Sequence, residues 1–205
     1  MSALTRFDRA VLQASHYTPL ELSWLKRHGV VTLAFLDLSK DNPKARQQQR
    51  VLERSSPIGT QSISEQVRIA LELGFEGLFL DMVEAHNPLE KKQKLELLQE
   101  FRTLAGKRTI LVNRGFSLMP ELLDIVNGIV FEAFSTQWNH KQGYALLPKR
   151  ELAWSAAIAT QLRYHQTPVY ALDYADSIEL KHFARRRAEH FGFTSLIANR
   201  ELTQL

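Results

Sequence analysis

The chain alternates between short, uniformly apolar runs and longer stretches with helical spacing, and several of the apolar runs close on an acid. Gly74-Phe75-Glu76-Gly77-Leu78-Phe79-Leu80-Asp81 and Gly128-Ile129-Val130-Phe131-Glu132 are the clearest. Such runs are too short and too evenly apolar for a surface helix, so they predict buried parallel strands. Each follows a helix-like segment that stops at Gly or Asn-Gly, a common way for a helix to end. An acid at the C-terminal end of a parallel strand is costly to place and easy to use.

The same alternation runs the length of the chain. A first strand is expected over residues 9–14, then a helix opened by Thr18 as N-cap with Pro19 in its first turn. That helix buries Leu22 and Leu25 and stops at Gly29. Residues 30–38 read as a second strand that carries Asp37. Residues 39–61 are polar, rich in Arg and Gln, and predict a long loop. Ile63, Val67, Ala70 and Leu71 mark one face of the next helix. The strand to Asp81 follows, and Asn87-Pro88 opens a charged helix whose buried side includes Leu95, Leu97, Leu98 and Phe101. Further on, strands are expected at 109–112 before Asn113, at 129–131 before Glu132, at 168–172 before Asp173, and at 193–198. Helices are expected at 119–126, 149–164 and 177–190, and a polar, aromatic loop at 135–147.

About seven strands alternating with helices, without a composition break, predict one α/β domain over residues 1–205 with a parallel sheet and right-handed crossovers. A closed (β/α) barrel and an open doubly wound sheet both fit. The barrel is favoured, because no Gly-rich phosphate loop follows any strand. Polar residues also stand at nearly every strand end: His16, Asp37, Asp81, Asn113, Glu132 and Asp173. In a barrel those ends converge on one mouth. With 205 residues, against about 250 for a typical eight-stranded (β/α)8 TIM-like barrel, a short or incomplete ring is expected.

Composition narrows the partners. Hydrophobic content of 44% and charged content of 23% describe an ordinary globular protein. The net charge of +4 is mild, and no basic run is interleaved with aromatics as nucleic-acid binding would favour. The densest basic stretch, Lys181 to Arg187, reads as the solvated face of a late helix. There are no cysteines, which removes disulfides and thiolate metal sites. No histidine pair has metal-ligand spacing, so neither a metal nor an organic cofactor is expected. No stretch is long enough to span a membrane, and no signal-peptide core is visible. The expected protein is soluble and monomeric, either cytoplasmic or secreted with its signal removed.

Asp81 is the first catalytic candidate and Glu132 the second; Phe131 and Phe134 beside Glu132 would favour its protonated form. Two carboxylates on different strands are what a glycosidase needs, one to attack or stabilise and one to protonate the leaving oxygen. Glu84 is either a site acid or a loop acid. Asp173 could bind sugar hydroxyls, or Asp176 and Ser177 could simply cap the next helix. Asp37, His16, Trp138 and Tyr174 complete the set of candidate binding residues, the aromatics as stacking faces for sugar rings. Trp24 and Trp154 lie on helices and are expected in the core.

Laid out this way, the chain resembles the glycoside hydrolase family 114 group, the endo-α-1,4-polygalactosaminidase-like (β/α) barrels. The resemblance rests on the Gly74–Asp81 segment, on Leu111-Val112-Asn113-Arg114-Gly115, on Gly128 to Glu132, and on the ending from Phe191-Gly192-Phe193 through Arg200-Glu201-Leu202. It runs from about Phe7 to the C-terminus. It implies a retaining hydrolase of α-1,4-linked galactosamine polymers, with the probable nucleophile at Asp81, the acid/base at Glu132, the strand-end Asn at Asn113 and the family's Tyr at Tyr174. The chain departs from the family at the first strand end, where Ala14-Ser15-His16 replaces an Asp. It departs again at Leu36-Asp37-Leu38-Ser39, in place of a Gly-Glu-like turn, and at Glu84, where Asp is common. All three touch the substrate mouth. A catalytically inactive carbohydrate-binding barrel is the competing reading, and a barrel lyase or isomerase of a small acid ranks third.

Overall fold

The computed structural model describes residues 1–41 and 62–201. The expected long polar loop falls from residue 42 onward outside the described residues. The chain divides into two compact units, Met1–Val126 and Asn127–Leu205.

In the first unit the strands are β1 (Arg9–Leu12), β2 (Val31–Asp37), β3 (Gly77–Asp81) and β4 (Thr109–Asn113). They pair in parallel in chain order. Between them run helices α1 (Pro19–Arg27), α2 (Ile63–Leu73) and α3 (Pro88–Ala105). Each helix starts where its sequence says it should. Thr18 accepts from the Glu21 N–H while Glu21 reaches back to the Thr18 N–H, a reciprocal cap. Ser62 and Asn87 accept from Glu65 N–H and Glu90 N–H. Ile63, Val67 and Ala70 of α2 are buried, as are Leu98, Phe101 and Ala105 of α3; Leu71, Leu95 and Leu97 are only half-buried.

The register in this unit is set by close packing. Leu33 of β2 is paired with Gly77 of β3. A Cβ on Gly77 would fall against the Thr109 carbonyl and 2.6 Å from Leu33 Cδ2, so only glycine lets three strands meet there.

The second unit holds β5 (Gly128–Glu132), β6 (Thr136–Asn139), β7 (Gly143–Leu146), α4 (Lys149–Tyr164), β8 (Val169–Tyr174), α5 (Ile178–Phe191) and β9 (Thr194–Ala198). β5, β8 and β9 pair in parallel in that order. Its core is aromatic: the Phe134 ring packs against Phe131, Phe191 and Phe193 at 5.0, 5.6 and 5.4 Å. Counting both units, seven parallel strands alternate with helices. Among the described residues this is the α/β fold of an incomplete (β/α) barrel. None of its described helices is long and apolar enough to cross a membrane.

Four local expectations are corrected. β1 stops at Leu12, and Ala14–His16 form a 3-10 turn, since Ser15 and His16 are exposed and give a strand nothing to bury. The expected helix at 119–126 is instead one short 3-10 turn, Glu121–Asp124, with another, Phe116–Leu118, before it; Met119 is extended at ψ 153°, as the residue before a proline prefers. The stretch 135–147 is a β6–β7 hairpin. Asn139 Oδ1 accepts from the Lys141 and Gln142 N–H groups, and Gly143 takes a left-handed φ of 67°, so side-chain-to-backbone bonding makes the turn. Trp154 is 42% exposed rather than in the core. It meets Phe131 only edge-on, at 6.0 Å.

Gly77→Ala is expected to lower stability by about 2–3 kcal/mol through overpacking. For a domain of this size that lowers the melting temperature by roughly 5–10 °C. Thermal unfolding followed by circular dichroism checks it.

Candidate active site at the strand ends

β2, β3 and β4 stop together. The register sets Asp37 directly opposite Asp81, and residues opposite one another on parallel strands point the same way. Asn113 ends β4 and donates from Nδ2 to Asp81 Oδ1 at 3.2 Å. The same carboxylate oxygen accepts the Met82 N–H at 2.7 Å. Asp37 is tied locally, accepting at Oδ1 from the Ser39 N–H and hydroxyl at 2.9 and 2.7 Å. Two residues back on the same face, the Phe35 and Phe79 rings stack at 6.0 Å. Asp37, Asp81 and Asn113 are all half-buried.

Glu84, read from the sequence as either a site acid or a loop acid, is taken up in hydrogen bonds to a loop. Its Oε1 accepts the N–H groups of Gly115 and Phe116, both at 3.0 Å, and its Oε2 accepts that of Ser117 at 2.9 Å. The Ser117 hydroxyl in turn accepts the Ala85 N–H, and the Lys94 ammonium donates to the Met82 and Glu84 carbonyls. Glu84 therefore ties the loop after β3 to the loop after β4, the two loops that follow Asp81 and Asn113. Burial acts to raise its pKa. The hydrogen bonds from the Ser117 hydroxyl and from the Ser117, Phe116 and Gly115 backbone outweigh that and hold it below the usual glutamate value.

In the second unit Glu132 closes β5, and the Tyr174 hydroxyl at the end of β8 donates to its Oε1 at 2.6 Å. Both side chains are half-buried. Asp173, one residue before Tyr174, points to the opposite face, as strand alternation requires. It is 0% exposed. Its Oδ1 accepts the N–H groups of Ser135 and Thr136 at 2.6 and 2.8 Å, which anchors the base of the hairpin. Burial pushes its pKa up, against those hydrogen bonds and the nearby Arg187 charge.

Arg187 belongs to the basic stretch read as a solvated face, and Arg185 and Arg186 are indeed exposed. Arg187 itself turns inward. It donates to the Phe134 and Leu152 carbonyls and to the Ser155 and Ser135 hydroxyls, with its guanidinium 4.2 Å from the Phe134 ring centre. Its spacing gave a signal, since it stands three and four residues from the buried Ala184 and from Phe191 on one helical face.

Backbone strain separates these acids. Among the described residues four non-glycine residues have positive φ: Met82 (58°), Arg114 (61°), Ala133 (52°) and Gln166 (54°). The first three directly follow Asp81, Asn113 and Glu132. A left-handed β-carbon costs about 1–2 kcal/mol, and such strain gathers at functional sites. No residue after Asp37 or Asp173 shows it. His16 is exposed in its 3-10 turn, outside any strand. Trp138 lies on β6, half-buried and opposite Tyr144 of β7. No group of three or more His, Asp or Glu among the described residues is placed to hold a metal ion.

The sequence matches no protein-family profile and no curated protein. Solved structures do resemble it. The glycoside hydrolase domain of PelA from Pseudomonas aeruginosa superposes over 100% of this chain and 92% of its own, at a TM-score of 0.79 and 21% identity. The chain shares its fold with a glycoside hydrolase domain. An endo-β-N-acetylglucosaminidase from Cordyceps militaris matches 98% of this chain and 76% of its own, at a TM-score of 0.57 and 11% identity. A protein provisionally described as a dihydrodipicolinate synthetase from Pseudomonas aeruginosa matches at 0.52 and 8%, over 95% of this chain and 59% of its own. The fold therefore hosts more than one chemistry, and the site must argue for one of them.

Glu84→Ala is expected to cost about 2–3 kcal/mol at neutral pH, since three backbone N–H groups lose a charged acceptor. The folded pKa is lowered, so the stabilisation is complete above the unfolded value of 4.5 and disappears as pH falls through the folded one. Urea unfolding at pH 7 and near pH 3 should show the gap between native and variant closing. Asp173 has the opposite sign. Its folded pKa is raised, so its contribution is fullest below 3.8 and is lost as pH rises through the folded value. Asp173→Asn should remove that pH dependence while keeping the hairpin's acceptor, as unfolding across the same pH range would report.

Proposed function

We propose that this protein is a single-domain glycoside hydrolase that cleaves an amino-sugar polysaccharide of the α-1,4-galactosaminide type by a two-carboxylate retaining mechanism. The observation that carries this reading is the treatment of two acids. Asp81 and Glu132 each close a parallel strand, remain half-exposed, take a hydrogen bond from a strand-end side chain, and are followed by a strained left-handed residue. The full-length likeness to the PelA hydrolase domain supports it.

In this mechanism Asp81 attacks the anomeric carbon while Glu132 gives its proton to the departing glycosidic oxygen. A covalent glycosyl-enzyme results, and Glu132 then takes a proton from the water that displaces Asp81. Asn113 and the Met82 N–H fix one oxygen of Asp81, which leaves Oδ2 to attack. The Tyr174 hydroxyl stabilises the Glu132 carboxylate left after proton transfer. Asp37, beside Asp81, supplies negative charge that would attract an ammonium-bearing sugar. Phe35 and Phe79, stacked on the same face, offer apolar surface to a ring. Asp173 and Glu84 act as positioning residues and do not touch substrate.

The test is cleavage of partly deacetylated galactosaminogalactan, with new reducing ends read by mass spectrometry. The native chain should cleave it. Asp81→Asn and Glu132→Gln should each lose at least about 10³-fold in rate, within the range of acid–base and nucleophilic contributions. Tyr174→Phe should lower kcat by about tenfold with KM little changed, the size of one charge-assisted hydrogen bond. Binding by the native chain without cleavage would favour the carbohydrate-binding barrel instead.

A further inference from the structure

The β6–β7 hairpin differs in charge from the strand ends. Residues 135–147 contain no Asp or Glu, and His140 and Lys141 sit at the tip. Trp138 and Tyr144 form a cross-strand pair, and His140 meets the Trp138 ring edge-on at 4.6 Å. The chain returns to this hairpin just after β9. The Arg200 backbone N–H donates to the Tyr144 hydroxyl at 3.0 Å, and the Arg200 guanidinium lies 3.8 Å from the Trp138 ring centre.

An arginine seated over an aromatic ring can keep its N–H donors for another partner. Arg200 makes no side-chain hydrogen bond or ion pair among the described residues. Its main chain is pinned by Tyr144 and its side chain rests on Trp138, so little rotamer freedom remains to be lost on binding. The result is an exposed, pre-oriented fork of donors on an aromatic shelf, with Lys141 at the hairpin tip and with Glu201 and Asp176, which follows β8 beside β9, as exposed acids. It stands at the C-terminal ends of β5, β8 and β9, the same end as Glu132 and Tyr174.

We propose that Arg200, Trp138 and Tyr144 form a subsite for a sugar bearing an oxyanion, with Trp138 against the ring edge and the Arg200 fork on a carboxylate. A uronic acid within or beside the amino-sugar chain is the ligand class. This rests on the carbohydrate reading only for its carrier, and it does not depend on catalysis. A carboxylate and a sulfate can both take the fork in bidentate fashion, so the sulfated sugar is the control that separates them.

The experiment is isothermal titration of the full chain, at 150 mM salt, with trigalacturonate, with neutral galactotriose, and with a sulfated trisaccharide of the same length. Trigalacturonate should bind at least about tenfold more tightly than galactotriose. Arg200→Gln should abolish that preference, and Arg200→Lys should not restore it, because an ammonium lacks the fork. Trp138→Ala should weaken both ligands. Equal binding of the neutral and acidic sugars would overturn the proposal. So would an unchanged preference in Arg200→Gln, or tighter galactotriose binding by that variant, which would make Arg200 a mere cover on Trp138. Preferential binding of the sulfated sugar would overturn the carboxylate assignment. Because binding is read without turnover, a chain that binds trigalacturonate yet cleaves nothing would sink the hydrolase reading and leave this one standing.

Discussion

A β-strand points successive side chains to opposite faces, and in this protein that parity decides what each acid can do. Asp81 shares a face with Phe79, and Asp37 with Phe35, because two residues separate each pair. Glu132 follows Val130 by the same interval, and Tyr174 follows Leu172, the residue paired with Glu132. Asp173 is one position out of step and lies fully buried beneath the field of Arg187. A single residue of offset separates Tyr174, which meets Glu132, from the buried Asp173 carboxyl that anchors a hairpin.

The loops at the strand ends are held by polar and charged side chains as well as by buried apolar ones such as Val83, Leu118 and Phe134. Glu84 gathers three consecutive backbone N–H groups from the loop after β4, and Lys94 collects carbonyls from the loop after β3. Arg187 and Asp173 do the equivalent in the second unit, one gathering carbonyls and the other N–H groups around Phe134 to Thr136. Hydrogen bonds to side-chain carboxyl, ammonium and guanidinium groups satisfy the backbone N–H and C=O groups that no strand or helix pairs in these loops. Such anchoring lets the left-handed turns after Asp81, Asn113 and Glu132 persist, since local strain survives only where the surroundings over-determine it.

Much of this was legible in the residues. The helix starts at Thr18, Ser62, Asn87 and Ser177 carry their own caps, and capping is a local interaction that needs no tertiary partner. The strands ending at Asp81, Asn113 and Glu132 were bounded by apolar content and by a polar last residue. The hairpin was harder to see. Its turn is made by Asn139 bonding to nearby backbone, but its strands are four residues each and mostly half-buried, too short and uneven to show the alternation that announces a strand. The short turns around Pro120 escaped for a similar reason, because eight residues with helical spacing satisfy the pattern although the proline holds Met119 before it extended.

The sequence by itself determined the order of the elements, their caps, and which residues could serve as strand-end acids, because periodicity and capping act over a few residues. Only the tertiary structure decided how those acids are used. Glu84 and Asp173 differ from Asp81 and Glu132 in accepting backbone N–H groups 31 to 38 positions away. Arg200 was brought onto Trp138 across 62 residues of chain. Contacts of that range are fixed by strand register and helix packing, which distribute their information over the whole fold and leave no local mark at either residue.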